Sequence, residues 1–152
     1  MLDILQYLYE HYLVDDHYPD NQALALKLST AGFDPAEIAQ AMEWLDGLSA
    51  LDPEAEAAFA PRGARVYNTL ELARLAPEGR GFLAYLENAG LLSPYAREWV
   101  IDRALALGDA EVPAEKIKWI ALIALWKLKG ALSALWLEDL VREEDVAPDT
   151  LH

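Results

Sequence analysis

The chain has 152 residues, 54% of them hydrophobic, which is enough apolar material for one ordinary domain or for two small domains that share a core. The absence of cysteine excludes disulfides, thiolate metal sites and cysteine nucleophiles. The formal net charge is −14, and residues 1–61 contain twelve acids against one base, Lys27, so this half is a poor candidate for contact with nucleic acid phosphates.

We expect the protein to be cytoplasmic and to stay outside membranes. Its first residues follow a helical pattern, without the basic stretch and small-residue cleavage site of a secretory signal. The most apolar segment, residues 119–137, is interrupted by Lys127, Lys129 and Gly130. Because a membrane span needs about 20 mostly apolar residues, this segment is interpreted as a buried helix.

Three helices are predicted in the first third of the chain. Leu24 and Leu28 mark the second helix, and Asp34 followed by Pro35 is a strong start signal for the third. The apolar residues expected on the buried faces of the first and third helices are Leu5, Leu8, Tyr9, Tyr12 and Leu13, and Ile38, Ala41, Met42, Leu45 and Leu48.

A small β-hairpin is predicted after the third helix. Residues 61–63, Pro-Arg-Gly, are typical of a turn, and β-compatible runs at 58–60 and 65–67 flank it. Three helices followed by a hairpin is the element order of a winged-helix domain. The expected fold is mainly α, with a winged-helix-like acidic unit at 1–68, a C-terminal helical bundle at 69–145 packed on it, and a tail at 146–152.

The second half is predicted to be helical throughout. Asn68 and Glu71 have the spacing of a capping box, which indicates a short helix from this point. Ser93-Pro94 and Pro113 open two longer helices, and the one after Pro113 is expected to be the most buried. A last helix is predicted at about 131–142.

Ordered blocks of sequence along the chain are together similar to one known family. They include Met1-Leu2-Asp3-Ile4-Leu5, Ala31-Gly32-Phe33, Arg65-Val66-Tyr67, Arg80-Gly81-Phe82-Leu83, Val100-Ile101-Asp102-Arg103 and Lys118-Trp119. In these blocks the chain resembles the bacterial Smg family, with weaker similarity at 52–60 and 130–147. The resemblance implies a small proteobacterial protein of unknown biochemical function, often encoded beside genes for DNA processing and topoisomerase. It implies no catalytic residues.

His11, Asp15 and His17 form a candidate metal site. Imidazole and carboxylate groups bind zinc or iron, and His11 and Asp15 are four residues apart, on one helix face. The alternative is a solvated helix end, which the absence of an HExxH motif favours. No cofactor is expected.

Residues 62–103 are the only stretch of the chain with a positive net charge, because they contain six arginines and five acidic residues. On one face these arginines would dock an acidic partner or a phosphate backbone. The favoured alternative is that they pair with carboxylates of their own chain, including those of the acidic first half. The candidate anion- or partner-binding residues are Arg62, Arg65, Arg80, Arg97 and Arg103.

A glycine-rich turn, residues 77–81, is expected just before a helix. Its backbone N–H groups and Arg80 would receive a phosphate or carboxylate at the helix N-terminus. The turn lacks the ending of a P-loop, and the alternative is a tight turn in which Arg80 pairs with an acid.

The leading functional hypothesis is a non-catalytic module that binds another protein, because no active-site motif is found and the first half carries unused acidic surface. The alternative is a nucleic-acid-associated protein of DNA processing that binds through the arginines, which the net charge disfavours. A metal-dependent enzyme using His11, Asp15 and His17 is the third hypothesis. The partner, the oligomeric state and whether the halves share one core are left open.

Overall fold

A computed structural model of the protein describes residues 2–13, 20–59, 65–130, 134 and 138–139. The helices in these ranges are α1 (Leu2–Leu8), α2 (Asn21–Thr30), α3 (Pro35–Leu45), α4 (Pro53–Ala58), α5 (Thr69–Arg74), α6 (Pro77–Asn88), α7 (Pro94–Leu105) and α8 (Ala114–Lys129). A π-helical turn, Tyr9–Leu13, continues α1, and a 3-10 segment, Asp46–Ala50, continues α3. The mainly α fold class is confirmed.

Several helices begin where the sequence carries capping residues. The Asp34 carboxylate accepts a hydrogen bond from the Ala36 N–H at 3.1 Å, and Ser93 caps α7 in the same manner. Asn68 and Glu71 form both bonds of a capping box, at 2.8 and 2.9 Å. The predicted starts of α3, α5 and α7 are therefore confirmed.

The predicted β-hairpin is wrong, and with it the winged-helix-like arrangement of the N-terminal unit. No strand is present in the part of the chain that the structure describes, where β-type pairing is limited to an isolated parallel bridge between Leu75 and Val112. Residues 65–68 precede α5 without pairing to a strand, and the predicted turn at 61–63 lies outside the described residues.

Local sequence explains why α4 forms just before that hairpin and includes Ala58, the first residue of its first arm. Asp52 caps α4, Pro53 occupies its first turn, and Glu54 and Glu56 complement the positive end of the helix dipole. The remaining positions are alanines, the strongest helix formers. On the other arm Val66 is 80% exposed, whereas Tyr67 is partly buried against the core without a strand partner among the described residues.

Helix α8 lies at the centre of the protein. Every residue from Trp119 to Trp126 is buried, and α8 packs against α1, α6 and α7. The buried apolar side chains from Ile4 to Ala134 form one hydrophobic cluster. The two halves of the chain therefore share one core.

None of the helices in the described ranges has the length and apolar character needed to cross a membrane.

Aromatic side chains join the N-terminal helices to the C-terminal ones. The Tyr9 ring meets the Trp119 ring edge to face, with centroids 5.6 Å apart. Trp44 and Trp99 also pack edge to face, at 6.0 Å, and the Trp99 indole N–H donates to the carbonyl of Gly47 at 2.8 Å. Trp44, Trp99, Trp119 and Trp126 are buried, and Trp136 lies outside the described residues.

The last predicted helix, 131–142, falls mostly outside the described residues. Within it, Ala134 is buried and helical. Glu138 accepts a hydrogen bond from the Tyr9 hydroxyl at 3.1 Å, so this part of the chain contacts the end of α1. The predicted tail, 146–152, is outside the described residues.

Candidate interaction surface

Two of the predicted arginines are joined in one ion-pair network, which we call the arginine network: Arg65, Glu71, Glu87, Arg97 and Glu98. Arg65 donates from Nη2 to Glu71 at 2.5 Å and from Nε to Glu98 at 2.8 Å. Arg97 donates to the same Glu98 oxygen and to both oxygens of Glu87, each at 2.8 Å. The network ties the segment before α5 to α6 and α7.

Burial and hydrogen bonding fix the charges of this network. Glu71 is only 6% exposed, and the hydrogen bond from Arg65 lowers the pKa of its carboxyl. The same bond raises the pKa of Arg65. Burial of Arg97 lowers its pKa, but hydrogen bonds to Glu87 and Glu98 outweigh burial and raise it. Both arginines stay charged and already hold carboxylates.

Arg80 lies near this network but forms no ion pair within the described ranges. Its guanidinium carbon is 5.8 Å from the centre of the Tyr67 ring, and that of Arg65 is 5.1 Å from the same ring. Its Nε donates to the Leu75 carbonyl at 3.3 Å. Burial raises the pKa of Tyr67. The structure thus brings Arg65, Arg80 and Arg97 together.

Arg103 belongs to a separate contact, between α3 and α7. Its Nε and Nη2 donate to Asp102 at 3.1 and 2.9 Å, and its Nη1 donates to the Trp44 carbonyl at 3.0 Å. The Trp44 indole N–H donates in return to the Arg103 carbonyl at 2.8 Å. The fifth predicted arginine, Arg62, lies outside the described residues.

The ion pairs between two described residues all lie within residues 65–116. Arg65, Arg97 and Arg103 therefore pair with carboxylates of their own chain, as the favoured alternative predicted, whereas Arg80 forms no ion pair among these residues. The partner acids belong to the second half, so the predicted pairing with acids of the first half is not found among these residues.

Exposed carboxylates lie on α3 and α4 or at the ends of these helices, and we call them together the acidic face: Asp34, Glu37, Glu43, Asp46, Asp52 and Glu54. Asp34 and Asp52 cap their helices. Within the described ranges no lysine or arginine pairs with any of the six. The charged side chains of α3 and α4 are therefore all negative, and such charges attract positively charged groups.

A cleft of about 420 Å³ lies beside the acidic face, between α3 and the end of α7, and we call it the α3–α7 cleft. It is lined by Gln40, Glu43, Trp44, Arg103, Ala106 and Leu107. A second cleft, of about 330 Å³, lies between the 3-10 segment and the end of α8, where Trp126 and Lys127 line it. Sequence reasoning missed the first cleft, because its two walls are 59 residues apart along the chain.

The glycine-rich segment 77–81 is the first turn of α6 and not a loop before it. Gly79 faces α8, since a Cβ atom there would lie 2.3 Å from Ile117 Cδ1, whereas a Cβ at Gly81 would meet nothing within 4 Å. Gly79 therefore permits close packing of α6 on α8.

The predicted metal site is described only at His11. The His11 ring stacks on Tyr7 with centroids 4.1 Å apart, and its Nδ1 is 3.0 Å from the Tyr7 carbonyl. Asp15 and His17 lie outside the described residues, so the site stays a prediction.

Comparison with known proteins gives consistent matches over the full chain. Residues 1–152 match the family described as protein of unknown function (DUF494). The Protein Smg homolog of Methylobacillus flagellatus is 38% identical over 100% of both chains. That of Aromatoleum aromaticum is 42% identical over 97% of this chain and 98% of its own, and that of Stenotrophomonas maltophilia 40% over 100% and 98%. No solved structure matches the chain.

Proposed function

The chain belongs to the DUF494 family of proteins of unknown function, and for this Smg-like member we propose a role as a non-catalytic cytoplasmic module that binds a basic partner protein through its acidic face. The family description carries no activity from which a substrate could be inferred. The proposal therefore depends on the distribution of charge over the surface.

The observation that carries the proposal is that ion-paired and unpaired charged side chains lie in different parts of the chain. In the described ranges, ion pairs engage Arg65, Arg97 and Arg103 with carboxylates of the second half. The acidic face takes part in none of them. A lysine- and arginine-rich surface would meet complementary charge there, which accelerates association and suppresses wrong partners.

The same observation supports a protein partner over the nucleic acid alternative. In helix-turn-helix proteins a helix enters the major groove, and contacts with phosphates supply much of the affinity. Here α3 exposes Glu37, Glu43 and Asp46, whose charge repels phosphates. Binding through Arg65 or Arg97 would require their existing carboxylate partners to be displaced. No observation favours the third hypothesis, a metal-dependent enzyme.

The test is a pull-down with tagged full-length protein from lysate of the source organism, with and without nuclease. A triple variant of the acidic face, Glu37→Gln, Glu43→Gln and Glu54→Gln, is compared with a control triple variant, Glu78→Gln, Glu111→Gln and Glu115→Gln. All six glutamates are exposed and outside the ion pairs of the described residues, so the change in net charge is the same.

We expect the pull-down to recover a basic protein in stoichiometric amount. Nuclease treatment should not reduce its recovery, and the control variant should recover it as well as the wild type does. It should be lost with the acidic-face variant and at high salt, because salt screens exposed charges. Loss of the partner on nuclease treatment, or equal loss with both triple variants, would contradict the proposal. Nucleic acid in the eluate would direct attention to the arginine network instead.

A further inference from the structure

We infer that the α3–α7 cleft receives an arginine side chain of the basic partner, which anchors that partner beside the acidic face. The inference rests on the proposed function and adds the site and the chemistry of the anchoring residue. The cleft's volume of about 420 Å³ lies within the ordinary range of binding pockets.

The lining of the cleft matches the two parts of an arginine side chain. Trp44, Ala106 and Leu107 supply apolar surface for its aliphatic stem. Gln40 and Glu43, three residues apart on one face of α3, supply an amide oxygen and a carboxylate for its guanidinium. A planar guanidinium with five N–H donors bonds to both acceptors at once, which a lysine ammonium does with less geometric specificity.

The charges around the cleft favour a cation despite the presence of Arg103. The guanidinium of Arg103 is held by Asp102 through two hydrogen bonds and by the Trp44 carbonyl through a third. The ion pair with Asp102, at 2.9 Å, offsets the positive charge of Arg103. Glu43 has no ion-pair partner among the described residues. Glu37 and Asp46 add negative charge along the same helix.

The probe for this site is a hexa-arginine peptide titrated into isotope-labelled full-length protein and followed by NMR. A hexa-citrulline peptide of the same shape but without charge is the peptide control. The indole N–H signals of the five tryptophans show where the peptide binds, and Trp→Phe variants assign each signal to its residue. Trp44 lines the α3–α7 cleft and Trp126 lines the second cleft, so the two signals distinguish the sites.

Two single variants separate a defined site from general attraction to an acidic protein. Glu43→Gln and Glu78→Gln each remove one exposed carboxylate outside the ion pairs of the described residues, but Glu78 belongs neither to the acidic face nor to the lining of the cleft. We expect Glu43→Gln to weaken hexa-arginine binding about tenfold, as loss of a charge-assisted hydrogen bond does. Glu78→Gln should weaken it less than about twofold, because an exposed charge outside the site is largely screened.

Saturable movement of the Trp44 signal by hexa-arginine and not by hexa-citrulline would support the inference. Equal effects of the two variants, movement of Trp126 in place of Trp44, or equal binding of the two peptides would overturn it. Binding of inorganic phosphate at the Trp44 signal, strengthened by Glu43→Gln, would make the cleft an anion site of Arg103 and also overturn it.

Failure of the cleft and failure of the proposed function give different results. A partner that binds the Glu43→Gln protein fully but not the acidic-face triple variant leaves the function standing and rejects the cleft as anchor. If the peptide binds at Trp44 but the pull-down recovers no basic protein after nuclease treatment, the cleft stands as an arginine site and the proposed function is rejected.

Discussion

Trp44 and Arg103 exchange hydrogen bonds across the junction of α3 and α7. The indole N–H of Trp44 donates to the Arg103 carbonyl at 2.8 Å, and Nη1 of Arg103 donates to the Trp44 carbonyl at 3.0 Å. The guanidinium carbon lies 5.9 Å from the Trp44 ring centre. Because both residues also line the α3–α7 cleft, the contact that joins the two halves shapes the candidate binding site.

Replacement of Trp44 by phenylalanine should lower the free energy of unfolding by about 1–3 kcal/mol. The Arg103 carbonyl would lose its donor in a largely buried position, and an unsatisfied buried acceptor costs about that amount. Urea denaturation measures the effect. The control is Tyr85→Phe, at a side chain that is 52% exposed, where a change below about 0.5 kcal/mol is expected. Equal stability of the two variants would show that the indole bond contributes nothing.

Two glycines of α6 should respond oppositely to alanine. At Gly79 the new Cβ would lie 2.3 Å from Ile117 Cδ1 and 3.4 Å from Ala114 Cα, and Ile117 is fully buried. Overpacking of this kind costs about 1–3 kcal/mol. At Gly81 the Cβ meets nothing within 4 Å, so alanine should stabilise the helix by about 0.5–1 kcal/mol. Thermal unfolding checks the pair, and a stabilising Gly79→Ala would contradict the close packing of α6 on α8.

The fold was predictable where short-range chemistry decides it. Asp34, Asn68 and Ser93 cap the helices that their side chains indicated, since a cap is made within three residues of itself. The hairpin was not predictable from β-compatible residues alone. The cap and proline at the start of α4 favour a helix that reaches Ala58, and the second arm, residues 65–67, precedes α5 without a strand partner among the described residues.

The candidate site was predictable only in part, because its contacts join distant residues. Charge counting indicated that arginines pair within the chain, but it placed some partners in the acidic half. The structure gives Arg65 and Arg97 nearer partners, at Glu71, Glu87 and Glu98. The α3–α7 cleft depends on a contact between Trp44 and Arg103, which are 59 residues apart in the sequence. No periodic pattern in the sequence indicates such a contact.

Replacement of Asn68 by alanine should destabilise the protein by about 1 kcal/mol, the usual cost of losing an N-cap. The Asn68 side chain accepts from the Glu71 N–H at 2.8 Å at the start of α5. Asn68→Ser, which keeps an acceptor at that position, should stay within a few tenths of a kcal/mol of the wild type. Urea denaturation of both variants decides, and equal losses would mean that the cap does not stabilise this short helix.

Glu71→Gln should make part of the protein's stability independent of pH. The hydrogen bond from Arg65 lowers the pKa of Glu71 from its ordinary value of 4.5, so the folded state binds this proton more weakly than the unfolded state. The carboxylate's contribution is therefore complete above about pH 4.5 and is lost as the pH falls through the lower folded-state value. At neutral pH the variant should be about 2 kcal/mol less stable, since it loses charge-assisted bonds to Arg65.

The measurement of this last effect is urea denaturation from neutral pH to about pH 3, a range that spans the ordinary titration of glutamate. The difference between wild type and Glu71→Gln should shrink below about pH 4.5, because protonation of Glu71 weakens the same bonds in the wild type. The matched control is Glu111→Gln, at an exposed glutamate outside the ion pairs of the described residues, whose profile should run parallel to the wild type. A difference that stays constant with pH would mean that Glu71 stabilises the fold by packing and capping, and not through its charge.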